Sequence, residues 1–230
     1  MRKCLVCDEV MKDALTWRTL LMRVDAKLIC KSCDEKLERI TGDRCSMCSR
    51  GLAGNSSSGE LCFDCLRWEG NGEWSGYLSN NISLFHYNEY LKEIIAKYKY
   101  RGDYALASIF IPYLKEMLRD IEYDLVTCIP LSVERLKERG FNQAQALADL
   151  LGLRTIEVLT RIDTEKQSKK SRHERIALPQ VFHVTKNDLL PNQSILVIDD
   201  IYTTGTTLRQ AAKALKKAGA KEVSSITLCR

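Results

Sequence analysis

Short aliphatic runs alternating with helix-period repeats fill the last two thirds of this 230-residue chain, and they predict an α/β fold on a mainly parallel sheet. Residues 195–198 (ILVI) form a continuous aliphatic run, the pattern of a strand buried on both faces of such a sheet. A turn then leads into residues 208–218, where Leu208, Ala211, Ala212 and Leu215 recur at helical spacing. A third observation sets the first third of the chain apart. Eight of the ten cysteines fall there as four C-x-x-C pairs, which predicts a small cysteine-rich module ahead of the α/β part.

The pairs are Cys4/Cys7, Cys30/Cys33, Cys45/Cys48 and Cys62/Cys65. Each is a tight knuckle offering two thiolates to one metal, and two knuckles complete the tetrahedral Cys₄ site that zinc takes. Four knuckles predict two zinc ions and a double zinc ribbon over residues 1–75. Disulfides would suit an exported miniprotein, yet MRKCLVC at the N-terminus lacks the apolar stretch of a secretory signal. A redox C-x-x-C needs one pair in a βαβ context. Sequential pairing leaves 22 and 13 residues between knuckles, against a usual ribbon spacing of roughly 15–20. An interleaved cross-brace would use the same eight residues. Full Cys₄ ligation leaves no open coordination position, so the predicted role is structural. With few apolar residues, the module depends on ligation for much of its stability.

Residues 51–59 (GLAGNSSSG) read as an exposed loop, and the Gly- and Asn-containing stretch 69–81 as a hinge to a second domain, 76–230. There, 82–87 is predicted as a strand. Tyr90, Leu91, Ile94, Ile95 and Tyr98 share one helical face, and 105–118 reads as a helix interrupted by Pro112. Strands are predicted at 125–129, 155–159 and 223–228, with a helix over 141–151 between the first two. Cys128 and Cys229 lie in apolar runs and read as small core residues.

Asp199 and Asp200 end the 195–198 strand, and Thr203, Thr204, Gly205, Thr206 and Thr207 form the turn before the helix. Ligands of open α/β sheets bind beyond the carboxyl ends of strands. Free N–H groups at a helix start suit a phosphate, and paired carboxylates can accept hydrogen bonds from vicinal hydroxyls. A phosphate site beside a diol site describes a ribose 5-phosphate. A plain strand–turn–helix with a capping aspartate explains one acid and one threonine, not two acids and four threonines. Further basic groups are Lys97, Lys99 and Arg101 after the first helix, Arg135, Lys137 and Arg139 near the middle, and Arg161, Lys166, Lys169, Lys170, Arg172 and Arg175 in the polar stretch 161–175. No histidine has metal-ligand spacing. The net charge of +5 permits a polyanionic ligand without demanding nucleic acid. No apolar run is long enough to span a membrane, and a cytoplasmic protein is expected.

The segment VIDDIYTTGTT resembles the phosphoribosyl-diphosphate (PRPP) loop of type I phosphoribosyltransferases. The resemblance implies that fold. It also implies that Asp199 and Asp200 bind the ribose hydroxyls while Thr203, Thr204, Gly205, Thr206 and Thr207 cradle the 5-phosphate. Mg²⁺ would accompany PRPP. Residues 161–175 stand where that family carries a flexible hood, so Lys166, Lys169, Lys170 and Arg172, with Lys97, Lys99 and Arg101, are expected to face pyrophosphate. Thr203 stands where purine-base members carry an aspartate base, and threonine cannot accept a proton near neutral pH. The turn is closer to that of the amidophosphoribosyltransferases. The knuckles, KYKYRGD, IPLS, ERGFNQA, the basic stretch and VIDDIYTTGTT occur in the order found in ComF-type proteins, with Leu178 where members commonly have an asparagine. That resemblance implies a cytoplasmic role in natural transformation: uptake and handling of single-stranded DNA beside a helicase-like partner, ComFA. The alternative is a phosphoribosyltransferase of nucleotide metabolism, and the acceptor is not visible in the sequence.

Overall fold

The structure, a computed structural model, describes residues 2–11, 28–52, 57–100, 103–161 and 181–230. Its centre is a four-stranded parallel sheet made of β5 (Asn80–Phe85), β6 (Leu125–Cys128), β9 (Ser194–Ile201) and β10 (Glu222–Cys229), in the order β5-β10-β9-β6. Strand β9 is interior and buried on both sides, as its aliphatic run requires. Period-2 alternation then sorts its side chains. Leu196 and Ile198 join one core, while Ile195 and Val197 join the other.

The first core packs α3 (Glu89–Tyr100), α4 (Ile111–Leu118) and α6 (Gln143–Leu151) on the sheet through Leu91, Ile94, Ile95, Tyr98, Leu114 and Leu147. Across the sheet, α7 (Thr206–Lys217) lays Leu208, Ala211, Ala212 and Leu215 on Ile195, Val197 and Val223. Among the described residues no helix is long and apolar enough to cross a membrane.

The cysteine segments bracket this sheet. Strands β1 (Arg2–Lys3) and β2 (Val10–Met11) pair beside the first knuckle, and α1 (Lys31–Glu35) carries Cys33. Cys4 and Cys33 are buried in the first core. Strands β3 (Ser57–Ser58) and β4 (Leu61–Cys62) lead into α2 (Phe63–Glu69), which carries Cys65. Cys45, Cys48, Cys62 and Cys65 belong to the second core. The module also covers the outer edge of β5. The Ile40 N–H donates to the Leu84 carbonyl at 2.9 Å, His86 N–H to Glu38 O at 2.8 Å, and Asn81 N–H to Met47 O at 2.7 Å. An otherwise open strand edge is thereby satisfied.

Several elements depart from the sequence reading. Residues 69–81 do not run free. Trp74 is buried and meets Trp68 edge-on at 5.7 Å, while Glu73 pairs with Lys213 of α7 at 2.9 Å. Pro112 opens α4 at its first turn, where its missing N–H costs nothing, after a 3₁₀ turn at Tyr104–Ile109. The predicted strand 155–159 reduces to one parallel bridge, Thr155 to Val126. The chain then pairs β7 (Leu159–Arg161) antiparallel with β8 (Phe182–Val184). A short helix, α5 (Val133–Arg139), was not foreseen. The Ser132 hydroxyl caps it by accepting the Arg135 N–H at 3.3 Å, and Gly140 closes it at φ 78°. Helix α6 begins at Gln143 because Asn142 caps it, its side-chain oxygen accepting the Ala144 N–H at 2.9 Å. Arg101, Leu178 and the hood residues Lys166, Lys169, Lys170 and Arg172 lie outside the described residues, as do 53–56 of the predicted loop.

Candidate functional site

Strand β9 delivers its two acids to the carboxyl end of the sheet. Asp199 is half-buried as a residue, with its carboxyl enclosed, and one of its oxygens accepts the Asp200 N–H at 2.9 Å. Asp200 is buried and forms an ion pair with Lys99, from the last turn of α3. Sequence-predicted residues from two distant segments thus meet. Lys97 stands two residues earlier, about 200° around the helix from Lys99, so one helix face cannot serve both. Arg139, at the end of α5, is half-buried and donates to Gln143 Oε1 at 2.8 Å. Arg135 and Lys137 are exposed.

Burial, and then the neighbouring Asp200 carboxylate, push Asp199 up to about 8, against the Asp200 N–H, Lys99 and Arg139, which favour its ionised form. An adjacent acid pair enclosed this way is poised for hydroxyl donors or a cation.

The turn follows directly. Thr203 and Thr204 are exposed, Gly205 is buried at φ +82°, Thr206 is half-buried and Thr207 is exposed. A Cβ at Gly205 would overlap the Tyr202 phenol oxygen and come within 2.5 Å of Tyr202 Cζ. The glycine is therefore demanded by backbone conformation and by the buried Tyr202 ring beneath it. Gly205 is the N-cap of α7 and supplies no side-chain cap; the Thr206 N–H makes only a long hydrogen bond to Thr204 Oγ1 at 3.5 Å, and such a helix start suits an anion. The Thr204 and Thr206 hydroxyls share a hydrogen bond of 2.9 Å. Two clefts open beside the turn. One, of about 320 Å³, is lined by Asp64, Arg67, Trp68 and Thr204, and the other, of about 220 Å³, by residues including Tyr87, Thr203 and Arg230. A larger cavity of about 770 Å³ lies at the amino end of β6, around Asp124 and Arg154, away from the acids.

The eight paired cysteines form two groups, Cys4/Cys7/Cys30/Cys33 and Cys45/Cys48/Cys62/Cys65, the sulfurs of each within 4.8 Å of one another. The pairing is sequential. Sulfur separations of 3.8 Å (Cys7–Cys30) and 3.6 Å (Cys48–Cys62) match the edge of about 3.8 Å expected for a tetrahedron with bonds of about 2.3 Å. Backbone N–H groups also point at sulfur: Cys30 N to Cys4 at 3.4 Å and Cys62 N to Cys45 at 3.3 Å. Burial pushes the Cys4 thiol up, yet the backbone N–H groups of Cys30, Cys7 and Val6 bring it down to about 7. Cys65 is held at about 5, chiefly by its hydrogen bond to Cys48, with Arg209 adding to the effect. Both groups can each hold one metal ion, and an all-thiolate tetrahedral donor set fits zinc.

Sequence reasoning missed the residues joining the second group to the turn. Arg209 has no exposure and pairs with Glu69 at 2.6 Å, its Nη2 lies 4.0 Å from Cys65 Sγ, and its guanidinium faces the Trp68 ring at 5.2 Å. Trp68 Nε1 donates to the Thr204 carbonyl at 3.0 Å. The one available signal was a charged residue on the apolar face of α7, beside Leu208 and Ala212.

Residues 136–230 match the phosphoribosyl transferase domain family. Over 232 residues the chain is 40% identical to competence protein ComFC of Bacillus subtilis, with 99% of this chain and 94% of that protein covered. The chain belongs to the ComFC family of competence proteins. A second ComFC protein, from Streptococcus pneumoniae, is 36% identical, with 99% of this chain and 100% of that one covered. Competence protein F of Haemophilus influenzae is 25% identical over 88% of this chain and 90% of that protein. Among solved structures, the glutamine PRPP amidotransferase from B. subtilis complexed with ADP and GMP aligns with a TM-score of 0.37 at 20% identity, covering 57% of this chain and 30% of that one. The α/β part of this ComFC-family chain is a phosphoribosyltransferase fold.

The Asp199 environment sets a pH dependence. An acid whose folded-state value is raised keeps its proton longer in the folded state, so its contribution to stability falls as pH climbs from the ordinary carboxylate range toward about 8. In thermal melts of the unliganded protein, wild type should lose stability relative to Asp199→Asn progressively as pH rises from the ordinary carboxylate value of 3.8 toward about 8, with the smallest difference at the acid end. Parallel profiles would show that Asp199 ionises freely.

Proposed function

We propose that this chain binds PRPP with Mg²⁺ at the carboxyl end of β9, and that it does so while handling incoming single-stranded DNA during natural transformation. The observation that carries the reading is the Asp199–Asp200 pair, with Lys99 beside it, abutting the Gly205 turn at the start of α7, where no N-cap side chain stands and the Thr206 N–H makes only a long hydrogen bond to Thr204 Oγ1. Asp199 and Asp200 would accept the ribose hydroxyls. Residues 203–207 would hold the 5-phosphate. Lys99, with Arg101 and the basic residues Lys166, Lys169, Lys170 and Arg172, would answer the pyrophosphate charge, while Lys97 lies on another face of α3. Mg²⁺, entering with PRPP beside the Asp199 and Asp200 carboxylates, would supply neutralisation of the pyrophosphate charge.

The same reading takes the two Cys₄ groups as structural zinc sites of a ribbon module over residues 1–75 and the remainder, 76–230, as the ligand-binding domain. It places the protein in the cytoplasm with the helicase-like ComFA as partner. The names of the relatives support competence, and the fold supports a phosphoribosyl ligand.

Two measurements test this. Asp200→Asn keeps the side-chain size but replaces an acceptor carboxylate with an amide. By calorimetry it should weaken Mg–PRPP by about 1.5–3 kcal/mol, the scale of a hydrogen bond to a charged group, and leave inorganic phosphate unchanged. Equal PRPP affinity in the two proteins would refute the ribose assignment. Neutralising Lys166, Lys169, Lys170 and Arg172 together addresses the DNA role. Single-strand affinity should fall, and its salt dependence should flatten by about 0.7 per lost contact. Unchanged DNA binding together with collapsed pyrophosphate release would instead identify these residues as transition-state stabilisers of a phosphoribosyltransferase.

A further inference from the structure

We infer that Trp68, with Arg209 behind it, is a positioning residue for the phosphate-binding turn, and that the second Cys₄ group fixes where Trp68 stands. This rests on the assignment of residues 199–207 as the phosphoribosyl site. Helix α2 carries Cys65 and, within its last turn, both Trp68 and Glu69. Trp68 Nε1 donates to the Thr204 carbonyl at 3.0 Å. Glu69 Oε1 accepts Arg209 Nη1 at 2.6 Å, while the Arg209 backbone N–H donates to the Gly205 carbonyl at 2.9 Å. Helix α2 thus holds the turn at the Thr204 carbonyl and meets the first turn of α7 at the Arg209 guanidinium, and its own place is set by a cysteine of the second Cys₄ group.

Geometry makes the Thr204 contact specific. A trans peptide is planar, so the N–H of Gly205 points opposite to the carbonyl of Thr204. Tying that carbonyl to Trp68 aims the Gly205 N–H away from the module, toward the side where an anion can sit. With the tie lost, the peptide is free to rotate about its flanking bonds. Gly205 has no Cβ to oppose that rotation, and a carbonyl oxygen facing a phosphate repels it. Arg209 supports the arrangement from behind. Its buried guanidinium needs anionic partners, which Glu69 and the Cys65 side of the thiolate group provide, and it lies against the Trp68 ring at 5.2 Å. The charge that compensates the thiolates therefore also holds the indole in place.

The test uses Trp68→Phe in the full, metal-loaded chain. Phenylalanine keeps an aromatic face over Arg209 and lacks the N–H donor. Metal content and melting temperature should match wild type. Affinity for inorganic phosphate and for Mg–PRPP should fall by the same factor, about 2–10-fold, since one neutral hydrogen bond is at stake. Amide exchange over residues 204–207 should quicken without ligand. Asp200→Asn serves as the reference, lowering PRPP affinity alone. If Asp200→Asn weakens PRPP while Trp68→Phe binds both ligands like wild type, the positioning role is overturned and the site assignment stands. If neither variant changes binding, the assignment itself fails, and this inference with it.

Discussion

A guanidinium without access to water must be met by negative charge, and at Arg209 that requirement ties together parts of the chain more than a hundred residues apart. Its partners are Glu69 and the thiol group around Cys65, both from the cysteine-rich segment, while its own backbone lies in the first turns of the helix that follows the 203–207 turn. Removing either partner would strand a buried charge, a loss far greater than that of a surface pair. The module is consequently built into the α/β part and does not simply hang from it. Trp74 and Lys213 extend the same seam, the Lys213 ammonium lying 4.1 Å from the Trp74 ring centroid.

The parallel sheet gives this seam its reference frame. Its interior strand β9 divides its aliphatic side chains between two cores, and each Cys₄ group is attached to a different core. Next to the second group, Asn81, Ser83, Ser225 and Thr227 form a buried polar network, with Ser49 Oγ donating to the Asn81 carbonyl at 3.0 Å. A polar patch inside a sheet is tolerated only when its members satisfy one another. Here the third knuckle caps it, so the sheet face and the module were shaped for each other.

Much of this was legible in the sequence because the signals were local. A four-residue aliphatic run ending at a turn is short enough for a strand buried on both faces, and C-x-x-C spacing carries its own geometry. The two acids and the turn are contiguous, so order along the chain already places them together. What escaped was long-range or depended on caps. Ser132 starts a helix that periodicity overlooked, and Asn142 sets the start of the next one two residues later than periodicity placed it. Pro112 reads as an interruption until the preceding 3₁₀ turn reveals it as a helix start. Residues 69–81 have the composition of a linker, and only the partners of Trp74, Glu69 and Glu73 on α7 show that they are packed. Nothing local to Arg209 tells of Glu69, 140 positions earlier.

Two all-cysteine groups anchor the first third of the chain, and the second of them lies against the Arg209 and Trp68 side chains behind the turn. X-ray absorption at the zinc edge, combined with metal analysis of protein purified under reducing conditions, tests this most directly. Two zinc ions per chain are expected, each surrounded by four sulfurs at about 2.3 Å with no lighter ligand. One zinc per chain, or nitrogen or oxygen in either coordination sphere, would contradict it.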